Sequence, residues 1–136
     1  RLVADRSLVP TAVEEMLRWT SPVTSFLRTA TRDTEVGGVA IAEGDPLLLV
    51  YAAANRDEAA FGPSAASFDV GRDPNPHLAF GFGPHFCLGA GLARMEARVL
   101  LEELLDRHET LDLSGPVERT ESGVIAGVRT ATLTLT

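Results

Sequence analysis

The sequence contains no lysine: all 12 basic residues are arginine, set against 19 Asp and Glu, and the formal net charge is −7. An acidic balance lacks the basic footprint of a nucleic-acid binder, so no nucleic-acid partner is expected. A single cysteine, Cys87, excludes an intrachain disulfide framework and fits a reducing, cytoplasmic compartment. No apolar run approaches the roughly 20 residues needed to span a bilayer, and there is no signal-peptide pattern, so no membrane partner is expected. Internal repeats and low-complexity tracts are missing too. The first residue is Arg1 rather than Met, from which a piece of a longer chain is expected. What remains is ordinary globular composition, 45% hydrophobic and 23% charged over 136 residues, enough for one domain with a core.

The cysteine sits in Phe80-Gly81-Phe82-Gly83-Pro84-His85-Phe86-Cys87-Leu88-Gly89, which also holds three of the six phenylalanines. A lone cysteine is by itself a small hydrophobe. Here, however, a Gly- and Pro-rich loop presents the sulfur at the start of a helix, where free N–H groups and the helix dipole favour a thiolate. Gly89 would let backbone amides approach the sulfur, and Gly81 and Gly83 permit backbone angles closed to other residues. That combination suits a thiolate handed to a soft electrophile or a metal.

Along the chain, Pro10 near a first turn and the spacing of Ala12, Val13, Met16 and Leu17 predict a helix over Pro10–Trp19. Glu15 and Arg18 lie three apart on one face, a spacing that solvated surface pairs share. Val23–Thr31, containing Arg28, reads as a strand. Asp33–Ile41 reads as a hairpin turning on Gly37-Gly38. Leu47–Val50 reads as a short buried strand, and the Ala-rich Tyr51–Asp57 as one or two helical turns. Phe61–Phe80 has little periodicity, and a coil of that length tends to be functional. Leu88–Arg107 is the strongest helix, with Leu92, Met95, Val99, Leu100, Leu101, Leu104 and Leu105 on a broad apolar face. The tail from Glu109 alternates apolar and polar residues and predicts a small sheet with a hairpin tip near Ser122–Ile125.

The spacing Phe-x-x-Gly-x-x-x-Cys-x-Gly at Phe80, Gly83, Cys87 and Gly89 resembles the haem-binding loop of the cytochrome P-450 family. His85 and the Leu88-Gly89-Ala90-Gly91 continuation are in the style of its bacterial soluble members. Glu15-Met16-Leu17-Arg18 is similar to the Glu-x-x-Arg of that family's K helix, and Arg72 falls where a second arginine joins this pair. The resemblance covers only the C-terminal third of a typical member, with the oxygen-activating I helix and the C helix lying before Arg1.

The resemblance implies a mainly α fold with small β-sheets (α+β), residues 1–136 forming the C-terminal haem-binding part of one domain: K helix, small sheet, meander, Cys-ligand loop, L helix and terminal hairpin. It implies haem b (iron protoporphyrin IX) with Cys87 as axial ligand and catalytic centre, and sulfur-directed amides after the cysteine. Phe80 would pack beside the sulfur, Gly83 and Gly89 would admit the porphyrin and the amides, and Arg28 and His85 would hold haem propionates. Glu15, Arg18 and Arg72 would form one buried network locking the coil that leads to the loop. Val23, Thr24, Phe26, Val124 and Ile125 resemble segments that touch substrate. His77 and His108 are expected to be structural. The implied activity is monooxygenation of a small organic molecule with O2 and electrons from a ferredoxin- or flavodoxin-type donor. Arg94 and Arg98, four apart, would offer that donor a positive patch or simply form a solvated helix face. Two other readings stand beside this one: an inactive haem-binding remnant, and cysteine nucleophilic catalysis by Cys87 with His85. The second asks a ring and a sulfur two residues apart in a tight loop to meet productively.

Overall fold

A computed structural model describes residues 1–136. After a short 3-10 turn capped by Asp5, helix α1 runs Val9–Thr20. Pro10 occupies its first turn, where a missing N–H costs nothing. Val9, Ala12 and Val13 are buried on one side of α1, and Glu15 and Arg18 are buried on another. The helix ends where Ser21 adopts a left-handed φ of 41° and its N–H returns to the Leu17 carbonyl. Pro22 follows and cannot extend the helical ladder.

Strand β1 (Ser25–Thr29) pairs antiparallel with β4 (Pro46–Val50), bringing Arg28 opposite Leu47. Between them β2 (Thr34–Val36) and β3 (Val39–Ile41) form a hairpin on Gly37-Gly38, whose φ values of 58° and 80° are those of a two-residue primed turn. Strand β4 is largely exposed, with Leu48 at 61%, so the expectation of a buried strand is corrected. Its sheet has two strands, and only Leu47 of β4 is half-buried.

Helix α2 (Tyr51–Ala54) follows, then α3 (Glu58–Phe61), of which only Phe61 falls in a predicted segment, the start of the coil. Asp57 caps α3 by accepting from the Ala59 N–H, and Gly62 ends it. These cap and stop signals are present in the sequence, but four residues are too few to show a period. Residues 62–82 carry no helix or strand. A 3-10 turn at Gly83–His85 leads to α4 (Ala90–Arg107), which starts two residues later than expected, with Gly89 at its N-cap. Helix α4 packs against α1. Its predicted apolar face nevertheless stays largely in solvent, Leu92, Met95, Val99 and Leu100 all being exposed. Strands β5 (Leu111–Arg119) and β6 (Val128–Leu135) form the terminal hairpin. Its tip comes back to the start of β1 through the Val23–Ile125 bridge and the Thr24 N–H bond to the Val124 carbonyl. The result is helices with small antiparallel sheets, the α+β class read from the sequence.

Candidate functional site

The largest fully buried side chains are charged. Glu15 and Arg18 on α1 have no exposed surface, and Arg72 from the coil is buried with them. Glu15 receives Arg18 Nε and Nη2 at 2.7 and 2.8 Å and Arg72 Nε at 3.1 Å. The Asp69 N–H and Asn75 Nδ2 also donate to it, at 2.8 and 3.1 Å. Burial is the largest single influence on this carboxyl and pushes its pKa up. The Arg18 and Asp69 hydrogen bonds and the charges of Arg18 and Arg72 together outweigh it, leaving Glu15 below the usual carboxylate range.

The two guanidiniums spend their other N–H groups on the coil. Arg18 donates to the carbonyls of Asn55, Ala65 and Ser67, and Arg72 to those of Phe61, Ser64 and Ser67. A segment with no ladder of its own is thereby fixed by side chains, as buried backbone requires. Asn55, which the sequence reading passed over, is fully buried between them. Its Nδ2 donates to Ser21 Oγ, and its Oδ1 accepts the Leu78 N–H at 2.7 Å. One amide therefore joins the end of α1 to the approach to the cysteine loop.

Beside this network lies a second one. Arg94 on α4 grips Glu14 with Nε and Nη2 at 2.7 and 2.9 Å, while His77 Nε2 lies 3.0 Å from the same carboxylate. The hydrogen bond from Arg94 is the main reason the Glu14 carboxyl titrates low, and its counterpart raises Arg94. Arg98 stands 3.4 Å from Glu102. Both arginines of the expected positive patch therefore have a carboxylate partner.

The loop is held by backbone bonds. The Cys87 N–H donates to the Phe80 carbonyl at 2.9 Å, the Phe86 N–H to Gly83, and the Ala90 N–H to Cys87. Gly81 and Gly83 take φ of 75° and 70°, angles that a side chain would strain. No hydrogen bond ends on Cys87 Sγ. Of the amides after the cysteine, that of Ala90 is committed to the Cys87 carbonyl. A Cβ at Gly89 would stand 3.9 Å from Sγ, ordinary contact. Phe80 packs on Phe86 and His77, with ring centroids 6.3 and 6.1 Å away.

Cys87 is exposed and opens on a cavity of about 360 Å³. Val23, Phe26, Phe80 and Phe82 supply its apolar lining, and Arg28, Tyr51 and His85 its polar groups. No carboxylate lines it, on a chain that carries 19 acidic residues. Arg28 makes no salt bridge; its Nη1 donates to the neighbouring Leu27 carbonyl, and its guanidinium lies 5.8 Å from the Phe26 ring. His85 makes no hydrogen bond to the thiol, so the pair needed for cysteine nucleophilic catalysis is not formed. Thr24, Gly83, Gly89, Val124 and Ile125 do not line this cavity, although Thr24 and Val124 are bonded to one another beside it. His108 closes the C-terminus of α4, its N–H donating to Leu104.

The family described as Cytochrome P450 matches residues 2–134. Cytochrome P450-terp of Pseudomonas sp is 44% identical over 133 residues, covering 98% of this chain and 31% of that protein. Steroid C26-monooxygenase of Mycolicibacterium smegmatis is 46% identical over 128 residues, covering 93% of this chain and 32% of that one. The solved structure of Cytochrome P450-153 from Novosphingobium aromaticivorans superposes with a TM-score of 0.94 at 40% identity, over 99% of this chain and 34% of that one. The chain spans about a third of the length of the curated relatives it matches.

Proposed function

Because this chain belongs to the cytochrome P450 family, we propose that residues 1–136 are the proximal, haem-holding part of a haem-thiolate monooxygenase. One observation carries this reading: an apolar cavity with a free thiol on its wall, an arginine and a histidine at its rim, and no carboxylate. That donor set fits a flat apolar macrocycle bearing its own carboxylates. Cys87 would ligate the iron as a thiolate. Arg28, without an acidic partner of its own, and His85 would take the propionates by charge and ring N–H. Phe80, Gly83 and Gly89 would shape the close approach. Haem so held supplies the oxygen-activating chemistry.

The work left to this chain is to bind, orient and exclude water. Val23 and Phe26 give the cavity an apolar wall, and Thr24, Val124 and Ile125 beside them would form part of the substrate rim. An apolar organic substrate suits that lining, in keeping with a relative named for a steroid. O2 and a ferredoxin- or flavodoxin-type donor would complete the reaction. We place the protein in the cytoplasm on its cysteine usage; no helix is long and apolar enough to cross a membrane.

The test uses the full-length protein with a surrogate ferredoxin system, isotope-labelled dioxygen and a panel of steroid and terpene substrates. One labelled oxygen atom should enter the product, and Arg28→Ala should lower haem retention. Haem bound normally with no substrate oxidised across the panel would favour an inactive haem protein.

A further inference from the structure

The Glu14–His77–Arg94 cluster takes no part in the function proposed above, yet its geometry converges on the cysteine loop. Glu14 lies on α1, Arg94 on α4 and His77 in the coil, so one carboxylate joins segments 63 and 80 residues away in sequence. Both groups it holds then touch one ring. The Arg94 guanidinium lies over Phe80 at 4.6 Å, and the His77 ring stands 6.1 Å from it. Arg94 is oriented by two parallel bonds, which leaves the flat face of its guanidinium free for the ring. The His77 side chain is only 2% exposed, and its Nδ1 accepts the Ala79 N–H, so Nε2 carries the proton that faces Glu14. Phe80 is also the residue whose carbonyl receives the Cys87 N–H at 2.9 Å.

We infer that Glu14 is a positioning residue for Cys87: through Arg94 and His77 it fixes Phe80, and through the Phe80 carbonyl it fixes the backbone that presents the thiolate. The inference rests on the haem-thiolate reading. An ordinary surface ion pair would leave its partners free to move. This one is chelated at one end and stacked at the other, and it lies two contacts from the sulfur. Loosening it should let the loop drift and weaken thiolate ligation without unfolding the protein.

Full-length, haem-loaded protein is compared with Glu14→Gln, with Arg94→Lys, which keeps the charge but loses the fork, and with Glu14→Gln/Arg94→Gln, which keeps the net charge. The readouts are the rate at which the ferrous carbon monoxide complex loses its thiolate-type band, the midpoint potential, and thermal unfolding. All three variants should lose the band about ten-fold faster, the scale of one lost charge-assisted hydrogen bond. The double variant should keep the shifted potential of Glu14→Gln. Three results would each overturn the inference: band lifetimes equal to wild type, a potential that returns to wild type in the double variant, or a lowered unfolding temperature as the only change. If Glu14→Gln does not fold, Arg94→Lys decides alone by its band lifetime. A wild-type protein with no thiolate-type band would overturn the haem-thiolate reading itself, and the inference with it, whatever the variants do.

Discussion

At Glu15 burial and charge oppose one another, and the outcome is a carboxylate that must stay ionised. Removing it by Glu15→Ala leaves Arg18 and Arg72 buried without a counter-charge, a change that typically costs about 3–5 kcal/mol. The full-length variant should give a low soluble yield and little bound haem; normal haem content would reduce the trio to a dispensable ion pair. Glu14 offers a gentler test because it is partly exposed. Its pKa is lowered by folding, so its contribution is complete above the unfolded value and lost as pH falls through the folded one. The thermal stability of the full-length protein should therefore fall on acidification below the ordinary carboxylate pKa of 4.5, and Glu14→Gln should flatten that limb. An identical acid limb in the variant would show that Glu14 does not couple to folding. At this scale the sequence was legible only in part. The Glu15–Arg18–Arg72 network was readable only from the family resemblance, since a spacing of three equally fits a solvated surface pair. Glu14, His77 and Arg94 were not linked, since no local pattern joins residues 63 and 80 positions apart.

The elements were legible wherever a local rule acted alone. Pro10 marks the first turn of α1, and Gly37-Gly38 makes the β2–β3 turn. Exposure was misread where it depends on what lies across the element. Alternation and apolar runs give the faces of β4 and α4 but not their partners; β4 is mostly exposed here, and of the α4 face only Leu101, Leu104 and Leu105 are half-buried. Helix α3 was missed because four residues carry caps but no period. The long coil was read as functional and as locked by Glu15, Arg18 and Arg72, but its further tie near Leu78 was not. That tie is Asn55, whose two hydrogen bonds connect Ser21 at the end of α1 to the Leu78 N–H. Asn55→Ala should leave these groups unsatisfied and cost about 1–3 kcal/mol. Denaturant unfolding of the full-length variant would measure it, and hydrogen exchange should quicken first at Leu78. Wild-type stability and exchange there would mean that the coil is held by the arginines alone.

In the whole molecule only 14 of 136 residues are buried, and several of the most buried are polar or charged. Large apolar side chains such as Leu88, Phe82 and Leu100 lie in solvent. A surface of that kind calls for cover, and the chain spans about a third of the curated relatives it matches. Residues 1–136 expressed alone should therefore aggregate or unfold without a cooperative transition, and should bind haem weakly. A sharp thermal transition with stoichiometric haem would contradict that. The proposed role of Cys87, the thiolate that would hold haem iron, is measured most directly by the reduced carbon monoxide difference spectrum of the full-length protein. Wild type should show the band at the wavelength that names the family, and Cys87→Ala should lack it. The same band in Cys87→Ala would mean that Cys87 is not the ligand.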